Sequence, residues 1–262
     1  MKGVLIYTVH KAASMFLHRL TDDLSKHMGF DYYSINKAEY FSQIKSISWK
    51  KFIESKPKSG CFGPIRIGAA EPSFPEELES YSIVLHLRDP RDVLVSLFYS
   101  HTYSHPRRTG RFSPSDEQRN KWKQKGIDKY VLNIAPEFKN RYQDLTSFLF
   151  DKRDVVFIRY EDMVSDYNTW LKYYLSAFPQ FITPSKKIIK ILKCRKSICH
   201  VHKKFYKKYV NEFTVSSEDI YRHRRQITPG DYKRKLKDDT VAKLNYEFED
   251  ILKLLNYELK LL

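Results

Sequence analysis

Two apolar runs constrain this chain more than any other feature. VLIYTV (Val4 to Val9) and VVFI (Val155 to Ile158) are continuous, rich in β-branched residues, and lack the polar alternation of a half-exposed strand. Strands of this kind are buried on both sides, so helices must cover both faces of the sheet that holds them. Further strand-like runs lie at Phe30–Ile35, Gly63–Ile67 and Ser82–Leu87, and the VVFI run extends to Arg159. Stretches with helical spacing alternate with them: Ser14–Met28, Ser48–Glu54, Arg91–Ser100, Glu137–Phe150, Asp166–Ala177, Ser185–Lys193 and Asp239–Leu255. Strands alternating with helices predict an α/β fold, a single domain with a central parallel β-sheet flanked by helices.

Two polar, basic excursions interrupt the pattern. One covers residues 101–125, with Pro106, Gly110 and Pro114 among Arg, Lys, Ser and His, and reads as a lid or loop. The other covers residues 215–235. Loops this long inside a compact domain are uncommon unless they serve function. Both are expected as parts of one domain spanning 1–262.

Charge narrows the partner. Lys and Arg number 47 against 31 Asp and Glu, a formal +16, which points to an anion such as a nucleotide, a sulfated or phosphorylated substrate, nucleic acid or a membrane surface. The three cysteines, Cys61, Cys194 and Cys199, have no framework or zinc-site spacing, which predicts reduced thiols, a cytoplasmic protein and no metal. No stretch approaches the roughly 18 apolar residues of a membrane span, so no membrane association is expected.

Two strand-turn-helix segments carry chemistry. In the first, His10-Lys11-Ala12-Ala13-Ser14-Met15-Phe16 follows the leading strand. A helix start there offers unpaired N–H groups and the positive dipole end to an anion, with Lys11 as a point charge and Ala12, Ala13 and Ser14 small enough to let it approach. The GxxxxGK[ST] pattern is absent. Taken alone, the segment fits a phosphate loop or an ordinary turn equally well. In the second, Arg88 ends a buried strand, Pro90 suits a first helical turn, and Ser96 follows two turns on. Arg88 therefore sits at the strand edge where open α/β sheets bind ligands, and an arginine fork with a hydroxyl suits a phosphate. A local Arg88–Asp92 ion pair with Ser96 as packing fits the same residues.

These segments resemble the sulfotransferases that use 3′-phosphoadenosine 5′-phosphosulfate (PAPS) as sulfuryl donor. His10 to Phe16 is similar to a divergent form of their 5′-phosphosulfate loop, P-K-x-G-T-T-W. Arg88-Asp89-Pro90-Arg91-Asp92-Val93-Leu94-Val95-Ser96 resembles their 3′-phosphate motif, R-[DN]-P-[KR]-D-V-x-V-S, at nearly every position. Tyr160-Glu161-Asp162 after a strand is similar to the family's YED segment, and RRQITPGDYKRKL to its R-K-G-x-x-G-D-W-K segment. The closing LNYEFEDILKLLNYE resembles the family's last helix, so the likeness runs from residue 4 to about 258 in the family's order.

The resemblance implies the nucleotide-kinase-like sulfotransferase fold and transfer of a sulfuryl group from PAPS to a hydroxyl or amine of a small-molecule acceptor. The product 3′-phosphoadenosine 5′-phosphate (PAP) would be released. It places Lys11 at the leaving bridging oxygen, with Ala12, Ala13, Ser14 and Met15 around the 5′ end. Phe16 and Tyr160 would lie near adenine, and Arg88, Ser96, Arg225 and the helper Arg224 at the 3′-phosphate. Ala13, Ser14 and Met15 depart from the family's Gly-Thr-Thr, Phe16 from its tryptophan, and Gln226-Ile227 from its Lys-Gly.

The general base is the largest departure. GPIRIGAAEPSF lacks the histidine that cytosolic members carry after the strand preceding the 3′-phosphate motif. INKAEYF resembles the segment where glycan-modifying relatives carry a glutamate, which makes Glu39 the first candidate, with Glu71, His101 and His105 in reserve. An exposed carboxylate of no catalytic role fits Glu39 as well. Nucleic acid is not an expected partner, since no RNA- or DNA-binding motif occurs; a homodimer is left open. A nucleotide-dependent kinase and a basic nucleic-acid-binding protein are the alternative readings.

Overall fold

The computed structural model describes residues 2–66, 74–104, 114–178, 220–221 and 227–258. The chain groups into two compact units, Met1–Leu87 with Asp144–Lys207, and Arg88–Gln143 with Lys208–Leu262.

The first unit is built on a five-stranded, all-parallel sheet in the order β2-β3-β1-β4-β5. The strands are β1 (Gly3–Thr8), β2 (Tyr32–Tyr33), β3 (Cys61–Arg66), β4 (Tyr81–Leu87) and β5 (Val155–Arg159). β1 is central and buried along its whole length, as its unbroken apolar run requires. The chain winds outward from β1 to one side through β2 and β3, then crosses to the other side for β4 and β5. The order therefore reverses between β1 and β4, and the carboxyl ends of those strands form the switch point where such sheets bind ligands.

Helix α1 (Ser14–Met28) returns from β1 and covers one face with Leu17, Leu20 and Leu24, all fully buried at helical spacing. Those leucines join Val4, Ile6, Val84, Ile158, Trp170 and Leu171 in one core cluster. Each such side chain contributes roughly 1.5–3 kcal/mol by leaving water. Gly29, in the left-handed region at φ 70°, ends the helix by donating its N–H to the Ser25 carbonyl. Helices α5 (Tyr160–Ser165) and α6 (Tyr167–Ser176) follow β5.

Helix α2 (Ala38–Glu54) begins ten residues before the helix expected at Ser48–Glu54. Ser48 breaks it, at φ 70° and ψ 162°, and this is why sequence periodicity finds only its second half. The first half buries Ile44 alone, whereas Trp49, Phe52 and Ile53 follow the break.

The second unit is helical. Helix α3 (Pro90–Tyr99) is followed by a single π-helical turn, Ser100–Ser104. Helix α4 (Asp116–Leu149) starts well inside the stretch expected as a loop to residue 125, so the loop reading is corrected from Asp116 onward. DEQRNKWKQK carries almost no apolar periodicity, but Ser115 and Gln118 form a capping box: each side chain pairs with the other's backbone N–H, at 3.2 and 3.0 Å. Gly126, at φ 76°, breaks α4 in the middle. Residues 231–235, expected in the second loop, form the short helix Asp231–Lys235. The long closing helix is two, Asp238–Glu247 and Glu249–Leu254, separated at Phe248. The helix expected at 185–193 lies outside the described residues. No helix among the described residues is long and apolar enough to cross a membrane.

Candidate active site

The turn from β1 to α1 adopts an unusual backbone. Lys11 and Ala13 both lie in the left-handed region, at φ 65° and 58°. That region costs an L-residue roughly 1–2 kcal/mol, and glycine normally fills it. Ala13 is the residue aligned with the family loop's glycine, so the turn keeps a glycine's conformation without a glycine. The Ala13 carbonyl accepts from the amides of Phe16 (2.8 Å) and Leu17 (3.1 Å), which starts α1 with no side-chain cap. The amides of Ser14 and Met15 belong to the first turn of α1 and stand with the helix dipole at the switch-point edge. Ala12 and Ser14 are buried, Lys11 is half-exposed and Met15 is exposed.

Beneath the turn the contacts are aromatic. Phe16 meets Tyr167 edge-on at 6.1 Å and lies 6.2 Å from Trp170. Tyr160, the first residue of α5, is 5% exposed and belongs to the same core cluster. Cys61, the one cysteine among the described residues, is a buried free thiol on β3; Cys194 and Cys199 lie outside them.

The RDPRD motif opens α3 in the second unit, and its residues divide the work. Asp89 caps the helix, accepting from the Arg91 amide at 2.9 Å, and holds the Arg91 guanidinium through Nε (2.9 Å) and Nη2 (2.6 Å). Arg91, 1% exposed, donates onward to Asn245 Oδ1 (2.6 Å) and the Glu258 carbonyl (3.1 Å), with its guanidinium over the Tyr232 ring. Asp92 accepts from the amides of Gly230 (2.7 Å) and Tyr232 (2.9 Å), tying the Gly-Asp-Tyr segment to the start of α3. Burial raises the Asp92 carboxyl above its ordinary range, while Arg88 and the two amides pull it back.

Arg88 is held differently. Its guanidinium meets Asp92 at 3.8 Å, a charge contact longer than a hydrogen bond, and its carbonyl accepts from the Tyr142 hydroxyl. Its side chain is 4% exposed, so the cation is already stripped of most of its water. Ser96 lies half-buried two turns into α3. The local Arg88–Asp92 pair that the sequence allows is therefore present. Arg224 and Arg225 lie outside the described residues.

The base candidates separate. Glu39 is exposed in the first turn of α2, where its carbonyl accepts from Gln43, and its neighbour Tyr40 is pushed up to about 12 by burial and then by the Glu39 carboxylate. Glu39 is thus an exposed carboxylate on a helix. His101 belongs to the π turn of the second unit, with Nδ1 2.6 Å from the Tyr130 hydroxyl and its ring stacked on Trp122 at 5.4 Å. Glu71 and His105 lie outside the described residues. Sequence reading missed the supporting residues Tyr142 and Asn245. Asn245 carries the one usable signal, a polar residue next to Leu244 in the closing apolar pattern.

Comparison with known proteins agrees with this geometry. A family model described as "Sulfotransferase domain" matches residues 70–256, most of the chain. Curated protein sequences give no significant match. Among solved structures, mouse sulfotransferase SULT7A1 complexed with PAP is similar at 15% identity and a TM-score of 0.58, over 98% of this chain and 89% of that one. Retinol dehydratase in complex with retinol and PAP matches at 12% identity and a TM-score of 0.48, over 99% of this chain and 83% of that one. With the RDPRD motif placed at the end of β4, a parallel sheet ordered around β1, and a domain match across most of its length, the chain belongs to the sulfotransferase family.

Proposed function

We propose that the protein transfers a sulfuryl group from PAPS to a hydroxyl or amine of a small-molecule acceptor in the cytoplasm, releasing PAP, with residues 1–262 acting as one catalytic domain. The observation that carries this reading is the β1–α1 turn. Its sequence lacks the glycine of a phosphosulfate loop, yet Lys11 and Ala13 take the left-handed conformations that such a loop needs. An ordinary strand-to-helix turn has no reason to bear that strain, and residues held this way cluster at ligand clamps.

The residues fit a donor with anionic groups at two ends. PAPS, when bound, supplies a sulfur that an acceptor attacks in line while the bridging oxygen to the 5′-phosphate leaves. Lys11 and the amides of Ser14 and Met15 meet the charge that grows on that oxygen, and they stabilise the transition state more than the ground state. Ala12 and Ala13 keep the backbone open to the anion, while Phe16 and Tyr160 present aromatic surface to the base. Arg88, Ser96 and the Arg224–Arg225 pair hold the 3′-phosphate, the arginine forks matching its oxygens. Glu39 takes the acceptor's proton.

The test is a thermal-shift panel of PAP, ATP with Mg²⁺, and single-stranded RNA, followed by an acceptor screen read by product mass. Stabilisation by PAP alone supports the reading. Stabilisation by ATP with Mg²⁺, or by RNA, in preference to PAP overturns it.

A further inference from the structure

His86 lies at the carboxyl end of β4, where its register partners are Thr8 of β1 and Ile158 of β5. The Thr8 hydroxyl donates to the His86 carbonyl at 2.8 Å, which fixes the strand at that point. The side chain is fully buried, edge-on to Trp170 at 5.6 Å, and neither ring nitrogen makes a hydrogen bond of normal geometry; nor does the buried Trp170 Nε1. Burial pushes the His86 ring down to about 3, opposed first by the Ala12 backbone and then by Asp162, so the ring is neutral and stands by the Ala12 carbonyl.

A neutral imidazole with no partner is a poor core residue, since a phenylalanine or leucine buries as well without an orphaned N–H. Ala12 is the residue between the two left-handed positions of the turn, and it too is fully buried. Two strained residues persist only when their surroundings over-determine them. The turn has no glycine to relax it and no side-chain cap on α1.

We propose that His86 is a positioning residue for the donor loop, donating its ring N–H to the Ala12 carbonyl and holding the Lys11–Ala13 turn in its anion-binding shape. A histidine brace from β4 replaces the intrinsic freedom of the missing glycine. The inference rests on the reading that this loop holds the 5′ end of the donor.

The test compares wild type, His86→Phe and His86→Gln by calorimetry with PAP and with adenosine 3′-phosphate, which lacks the group the loop holds. His86→Phe is expected to bind PAP about tenfold more weakly, and adenosine 3′-phosphate as wild type does. His86→Gln, which keeps an N–H donor, restores most of the PAP affinity. Wild-type PAP affinity in a folded His86→Phe, or an equal loss for both ligands, overturns the brace. Should His86→Phe fail to fold, ¹⁵N spectra of the wild-type imidazoles decide. One ring N–H that shifts on PAP addition supports the brace, and unchanged ring signals refute it. Absence of PAP binding by wild type is a separate result and overturns the donor-site reading itself.

Discussion

Lys11 combines two roles that substitution can separate. Its backbone turns through φ 65° and its side chain carries the charge. Lys11→Gly keeps the turn and removes the charge, so turnover is expected to fall about 10²–10³-fold, as when one donor to a developing oxyanion is lost. PAP affinity should change far less; near-wild-type turnover would remove Lys11 from the chemistry. At Ala13 the expectation reverses. Ala13→Gly relieves a left-handed alanine but frees the unfolded chain, leaving stability within about 1 kcal/mol of wild type. Ala13→Val adds a β-branch at φ 58° and is expected to cost about 2 kcal/mol in denaturant unfolding. His86 gives an acid signature. Its folded pKa of about 3 lies below the ordinary value of 6.5, so between those pH values the unfolded chain binds more protons. Its contribution is intact above about pH 6.5 and lost as pH falls towards 3, at up to about 1.4 kcal/mol per pH unit. Measured against wild type, His86→Phe should flatten the decline in stability below pH 6.5; parallel curves would show that the ring is not buried neutral.

At the scale of elements, one break and one clamp stand out. Ser48 sits in a backbone region that is nearly reserved for glycine, at a cost of roughly 1–3 kcal/mol. Ser48→Gly is expected to raise the melting temperature by about 2–4 °C, the shift that 1 kcal/mol gives a chain of this size; a lower temperature would contradict the strain. Asp92 joins α3 to Asp231–Lys235 through the Gly230 and Tyr232 amides. Removing this buried carboxylate leaves the two amides orphaned and takes a charge partner from Arg88, so Asp92→Ala should destabilise by about 3 kcal/mol. It should also expose the segment around Gly230 to proteolysis, and a variant as resistant as wild type would argue against the clamp. Sequence periodicity locates elements here only where one face is apolar: α1 was legible to the residue, whereas the start of α4 carries polar residues and was announced only by its Ser115–Gln118 cap.

Across the whole molecule, the formal charge of +16 suits the anionic donor but gives no fold. Because screening shortens the reach of that charge to under about 10 Å at physiological salt, raising NaCl from roughly 0.05 to 0.5 M is expected to weaken PAP binding about tenfold. Calorimetry across that range checks it, and salt-independent affinity would place the recognition entirely in short-range contacts.

The sequence by itself determined the parallel α/β sheet, the order of its strands along the chain and the RDPRD motif, because apolar runs and a local strand-turn-helix motif are written in consecutive residues. The position of Arg88 just past the end of β4 was legible for the same reason. Tertiary structure alone decided three things: that a turn without glycine adopts a glycine's backbone, that Asp89, Arg91 and Asp92 spend their charges on holding the unit together, and that His86 lies buried by Ala12. Each depends on what residues distant in sequence place beside the group. Burial, orphaned hydrogen bonds and supported strain are properties of those surroundings, and no local pattern of residue types encodes them.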